Sequence, residues 1–336
     1  MKKDFLVYGI LLALVLILYF LVPKPVVFSS TVSYSIIGLI ILALVYILIR
    51  TVSGHFVGRR IVFLFVGIAV VLPFFMQVSQ PIRVSPEVQA VYDSVAKLKP
   101  GSKVLVSFDY DPASAPELQP MAESFFRLCF ERDLKVIIMG LWPQGPQQAE
   151  MALQVVLADS LIAKKNLKRG EDYVDLGYQA GNEFVIQRMG TDFRTMFSQD
   201  TRGIPYDSIP ILHDVRNFSN VDYSFNLSAG YPGTVEWVQV AVDRFGLKLG
   251  TGNTGVQATG MYPYLRAGQL KGLLGGLSGA AEFERATGKA GTATFYMLPQ
   301  SFSHVVVIAF IIIGNVAFFL GEKRKKETDK EKGQEK

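Results

Sequence analysis

Lys103–Val–Leu–Val–Ser–Phe108 runs directly into Asp109–Tyr–Asp–Pro–Ala–Ser–Ala–Pro116, then into the amphipathic stretch Glu117–Arg132 and the second apolar run Lys135–Val–Ile–Ile–Met139. Neither run alternates apolar with polar, which is the pattern of strands covered on both faces in a parallel sheet. The stretch between them is long enough for a crossover helix. A right-handed β-α-β unit follows, the seed of an open sheet.

The same alternation extends outward. Glu87–Leu98 reads as a helix ahead of the first strand; Gln144–Lys165 is a second crossover helix, Tyr173–Gly177 a third strand and Gly181–Met189 a helix start. Asp222–Leu227 and Leu247–Thr251 read as strands around a helix at Thr234–Phe245, and Gly268–Thr287 closes with a helical run rich in small residues. Asp192–Asn220, with Gly203, Pro205 and Pro210, is an irregular excursion. The fold class expected is α/β, a doubly wound, mostly parallel sheet, Rossmann-like but without a dinucleotide fingerprint. Ser107–Phe–Asp–Tyr and Ser224–Phe–Asn–Leu each end a strand before a Pro-containing loop and a helix with Glu near its start. If the two units are equivalent, their loops share one edge of the sheet.

Four apolar runs bracket this region: Phe5–Val22, Val32–Ile49, Ile61–Val78 and Val305–Leu320. Each is about long enough to cross a hydrocarbon core, which takes ~20 helical residues. The organisation expected is three membrane helices in residues 1–78, an α/β domain in 79–301, a fourth membrane helix in 302–321 and a disordered charged tail in 322–336. Lys2, Lys3, Arg50, Arg59, Arg60 and Lys323–Lys326 flank alternate ends, which puts both termini in the cytoplasm and the domain outside it. Phe5–Val22 is too long for a signal-peptide core and has no cleavage site after it. The runs contain no charged residue, which argues against an ion or proton pathway. Pro73 should kink the third helix, and Asn315 should hydrogen-bond to a neighbouring helix.

The net charge of +5 reflects those basic flanks rather than a nucleic-acid footprint. Cys129, the single cysteine, lies on an apolar helix face, so the domain is held by its core and not by a disulfide.

In open α/β sheets ligands sit beyond the carboxyl ends of the strands. That rule gathers Asp109, Asp111, Trp142, Asn182, Ser228, Tyr231, Thr251, Asn253 and Thr254 as candidate ligand-binding residues on one rim. Asp109 and Asp111, with Glu183, are the candidates for catalysis, because paired carboxylates divide acid/base or nucleophilic roles. No metal site is assigned; Asp109 and Asp111 would be the ligands of a divalent cation, and no cofactor is named. The stretch Val104–Asp111 is similar to the opening of haloacid-dehalogenase-like phosphatases, but Pro112 departs from that pattern and no Gly-Asp-x-x-x-Asp follows. His213 lies in the irregular excursion, away from any triad pattern, and Thr251–Gly–Asn–Thr–Gly255 could cradle an anion but lacks the Lys of a P-loop.

Ser228–Ala–Gly–Tyr–Pro–Gly–Thr–Val–Glu–Trp–Val–Gln239 and Gln269–Leu–Lys–Gly–Leu–Leu–Gly–Gly–Leu–Ser–Gly–Ala–Ala–Glu–Phe–Glu284 resemble segments of an uncharacterised family of prokaryotic membrane-anchored proteins with an extracytoplasmic α/β domain. The resemblance implies no activity. The function expected is a multi-pass protein of the cell membrane that presents a ligand- or partner-binding module to other copies or to subunits of a membrane complex. A metal-assisted hydrolase is the alternative.

Overall fold

The computed structural model describes residues 29–53, 58–76, 78 and 81–334. In chain order the elements are α1 (Ser30–Val52), α2 (Arg59–Val71), α3 (Pro86–Ala96), β1 (Lys103–Asp109), α4 (Ala115–Glu131), β2 (Lys135–Gly140), α5 (Gly145–Leu157), α6 (Ser160–Ala163), β3 (Tyr173–Tyr178) and α7 (Glu183–Met189). Short 3-10 turns fill the excursion before β4 (Tyr223–Ser228). Then come a helix in three parts, Thr234–Glu236, the π-helical Trp237–Val242 and Asp243–Phe245 (together α8), β5 (Leu249–Asn253), α9 (Gly255–Arg266), β6 (Leu270–Gly275), α10 (Gly276–Ala286) and α11 (Thr292–Gln334). The chain divides into two compact units, Met1–Gln80 with Leu298–Lys336, and Pro81–Met297.

α1, in the first unit, and Thr292–Lys323 of α11, which belongs to that unit from Leu298 onward, are long and apolar enough to cross a membrane. Only 17% and 11% of their apolar windows are buried, unlike the core helices of a globular domain. Two such helices stand among the described residues, where the sequence implies four spans. The first, Phe5–Val22, lies outside the described residues. The third is shorter than expected: α2 has 13 residues, and a 3-10 turn at Leu72–Phe75 replaces its continuation. Pro73 is the cause, having no N–H for a helical bond and constraining the residue before it. Leu44, Ala69 and Val306 form a small buried cluster, with Phe65 edge-on to Phe310. Among the described residues, Asn315 donates to the Ile311 carbonyl of its own helix at 2.9 Å. α11 continues to Gln334, so the tail expected to be disordered is helical over most of its length. Its Glu, Lys and Arg content favours that state locally.

The second unit holds a six-stranded, all-parallel sheet in the order β3-β2-β1-β4-β5-β6. This is the Rossmann order, and its direction reverses between β1 and β4. Val104, Val106 and Phe108 face a core shared with α3, α4, α5 and α10, in which Phe125 stacks on Phe225 with centroids 4.1 Å apart. Leu105 faces the opposite core, built from α7, α8 and the 3-10 excursion around Trp237 and Phe218. Both faces of β1 are therefore dry, which is why its sequence is continuously apolar.

Gly268–Thr287 is not one helix. It supplies the edge strand β6 and then α10. Gly272 makes the strand possible: a Cβ there would lie 2.6 Å from the Val91 nitrogen and 2.8 Å from the Glu87 carbonyl oxygen. α3 packs directly on the strand's backbone, so glycine here marks a close approach and not a helix interface.

Candidate functional site

β1 and β4 run in register, and their last residues, Asp109 and Ser228, are partners across the switch point. The alternation of a strand decides what each end residue faces. Asp109 follows Leu105 and Ser107 to the α8 side of the sheet and is fully buried. Its Oδ1 accepts from the Ser107 hydroxyl at 2.8 Å and the Leu141 N–H at 2.7 Å. Its Oδ2 accepts from Asn226 Nδ2 at 2.6 Å and the Trp237 indole N–H at 2.9 Å. One side chain thus ties together β1, the loop after β2, β4 and the π-helical turn of α8.

The buried polar seam continues away from Asp109. The Thr234 hydroxyl donates to Asn226 Oδ1 at 2.7 Å and accepts from Asn253 Nδ2 at 2.9 Å. The Thr251 hydroxyl lies 2.7 Å from that of Thr234 and 2.8 Å from Asn253 Oδ1. Thr251, Asn253 and Ser228 are all buried, and Ser228 turns its hydroxyl to the Gly230 carbonyl. Three residues expected to face a ligand instead form the floor beneath the rim.

Three of the helix starts on this rim, those of α4, α8 and α9, are filled by carboxylates of the protein itself, whereas α5 and α7 have no side-chain cap. Asp111 Oδ1 accepts from the N–H and hydroxyl of Ser114, both at 3.2 Å, at the start of α4. Glu117 Oε2 accepts the Gly255 N–H at 2.6 Å at the start of α9, and Glu236 accepts the Gly233 N–H at 2.7 Å at the start of α8. The glycine-rich turn after β5, expected to be able to cradle an anion, therefore already holds a carboxylate. Its Thr254 donates its N–H to the Ser228 carbonyl at 3.4 Å.

Trp142, Asn182, Glu183 and Tyr231 do reach the surface together. The Tyr231 hydroxyl donates to Glu183, 2.9 and 3.2 Å from its two oxygens, and accepts from Asn182 Nδ2 at 3.3 Å. That acceptor pushes the Tyr231 phenol above its ordinary pKa. Trp142 donates its indole N–H to the Pro232 carbonyl at 2.8 Å, and a Cβ at Gly230 would lie 3.0 Å from its ring. These contacts lock the loops after β2, β3 and β4 to one another. The Tyr231 ring remains 61% exposed.

Among the described residues no group of three or more His, Cys, Asp or Glu side chains is placed to hold a metal ion. Cys129 is buried, and burial pushes its thiol far above the ordinary range, so it stays protonated and unreactive. His213 is exposed at the end of a 3-10 turn in the excursion. Sequence reading passed over Asn226, Thr234 and Trp237. The signal for Asn226 was small polar residues alternating with large apolar ones along β4, which marks a polar seam on one face; Thr234 and Trp237 lie on α8 and carry no such pattern.

Burial raises three carboxyls in this unit: Asp109 to about 6 against its four donors, Asp175 to about 6 against the Gly177 N–H and Arg169, and Glu123 to about 7 against Arg127. Each holds its proton more tightly folded than unfolded, so folding takes up protons between about pH 4 and 7. The associated stability is full below the unfolded pKa and is lost as the pH rises through 6 to 7. Asp159 and Asp214, lowered by hydrogen bonds from Lys289 and Lys103, act oppositely and lose their contribution only in stronger acid. The melting temperature of the α/β unit is therefore expected to be higher at pH 5.5 than at pH 8, by about 4 °C or more. Calorimetry of the full chain across that range checks it, and a flat profile would contradict it.

No protein-family model, curated protein or solved structure matches this chain.

Proposed function

We propose that the chain is an integral membrane protein with both termini in the cytoplasm, holding its α/β unit outside as a ligand- or partner-binding module within a membrane assembly. Two long apolar helices and basic residues at alternate ends of the apolar runs support the membrane placement. The observation that carries the binding reading is the braced rim. Three loops are fixed to one another through Tyr231, Glu183, Asn182 and Trp142, which leaves an aromatic face open at the switch point. A preformed site of this kind binds without first ordering its loops.

Metal-assisted hydrolysis at Asp109 and Asp111 has less support. Both Asp109 oxygens already accept two hydrogen bonds each, and Asp111 caps α4. A cation would have to displace donors that the fold itself needs.

Two measurements test the proposal. Val256, 89% exposed at the start of α9, is the labelling position, because Cys129 is buried and silent. A maleimide that cannot cross membranes should label Val256→Cys in intact cells; labelling only after lysis would reverse the sidedness. Hydrogen exchange in residues 141–144, 179–183 and 229–233 should be slower in native membranes than in the purified chain. Equal exchange would overturn occupancy of the rim.

A further inference from the structure

We infer that the rim takes an uncharged, polyhydroxylated ring, that is, a saccharide. This inference rests on the binding-module reading and names the ligand class of the same site.

The first argument is charge. The loops that close the strand ends, residues 110–114, 141–144, 179–182 and 229–233, contain no lysine or arginine. An oxyanion on a Rossmann-type rim sits at a helix N-terminus, where backbone N–H groups point outward. Here Asp111, Glu117 and Glu236 occupy the starts of α4, α9 and α8; of the two starts without a side-chain cap, α5 has a proline in its first turn and α7 begins with Glu183. At the three filled starts a phosphate, nucleotide or acidic peptide would meet carboxylates where it needs donors, with no basic side chain in those loops to offset the repulsion.

The second argument is the chemistry left over. Tyr231 offers an exposed ring held rigid by its own hydroxyl, and Trp142 lies half-buried against Gly230. A sugar ring presents a C–H face that packs on such aromatic surfaces and a rim of hydroxyls that needs both donors and acceptors. Amides stand beside the two rings: Asn182 Nδ2 donates to the Tyr231 hydroxyl, and Gln257 Nε2 would lie 3.8 Å from a Cβ at Gly230, against which Trp142 packs. Each amide donates and accepts, which matches hydroxyl groups. A cationic ligand would draw instead on carboxylates, yet three of the four rim carboxylates are bound to backbone N–H groups at helix starts. The fourth, Glu183, accepts the tyrosine hydroxyl.

The chain carries its own reporter. Of its two tryptophans, Trp237 is fully buried under Asp109 and Trp142 lies on the rim. The full chain in lipid nanodiscs, free of glycoside detergents, is titrated at millimolar concentration with maltotriose, cellotriose and chitotriose, then with tetramethylammonium and with inorganic phosphate. At least one trisaccharide should shift the emission saturably. Tyr231→Ala, which removes both the exposed ring and its brace to Glu183, should weaken that response by about tenfold, and Trp142→Phe should abolish the signal. A response to tetramethylammonium or phosphate without one to the sugars overturns the ligand class and leaves the binding-module reading standing. No response to any probe overturns the saccharide assignment, while the exchange comparison above decides occupancy of the rim by itself.

Discussion

Asp109→Asn lowers the unfolding free energy of the α/β unit by about 3 kcal/mol at pH 6, read by denaturant titration of the full chain. The carboxylate receives four hydrogen bonds, and two of the donors, the Leu141 N–H and the Trp237 indole N–H, cannot reverse their role. An amide keeps one acceptor oxygen and sets an NH2 group against donors. At least one buried N–H loses its partner. The substitution also separates the two readings of the rim: a catalytic aspartate can become asparagine with the fold intact, whereas a scaffold aspartate cannot. The pH dependence adds a second check. Burial has raised the Asp109 carboxyl to about 6, so the wild type loses stability as the pH rises through that value, while the variant loses none at this site. The gap between the two proteins should therefore narrow toward pH 8. A gap that widened there would mean that the carboxylate is the favoured form.

Glu284→Ala is expected to cost about 3 kcal/mol and to fray the first turn of α11. The side chain is 1% exposed. Its carboxylate accepts the N–H groups of Gly291, Ala293 and Thr294, each at 2.8 Å, and the Thr294 hydroxyl at 2.6 Å. These are donors that a helix start leaves without intrahelical partners, and the negative charge sits at the favourable end of the helix dipole. Alanine removes every acceptor at once. Glu284→Gln keeps one oxygen and should recover part of the loss. Hydrogen exchange at residues 291–297 gives the local readout; unchanged protection there in Glu284→Ala would refute the clamp.

The strands β1 and β2 were legible because burial on both faces writes itself as nearly uninterrupted apolar residues, as in Lys103–Asp109, and β3, β4 and β5 followed from the alternation of strand and helix lengths around them. β6 was not, because Gly272 answers to the α3 backbone packed on it, and a glycine imposed by a neighbour carries no periodicity. α9 was missed for a related reason. Gly260 and Pro263 lie inside it, and local propensity argues against a helix that tertiary packing nevertheless supports. At the site, the sequence located the rim but misjudged its depth. Asp109, Ser228, Thr251 and Asn253 were expected to face a ligand, yet strand alternation turns them inward with Leu105 and Leu249. Trp142, Asn182 and Tyr231 lie in loops beyond the strand ends and Glu183 opens α7, where that alternation no longer applies, and they do stand at the surface.

The self-supplied carboxylates at the starts of α4, α8 and α9 have a consequence for the surroundings in which such a unit can work. Open peptide dipoles on a strand-end crevice would collect sulfate or polyphosphate from any medium rich in them, and each would compete with the true occupant. With those three positions already filled by Asp111, Glu236 and Glu117, an inorganic anion could reach these helix starts only by displacing a carboxylate of the protein itself.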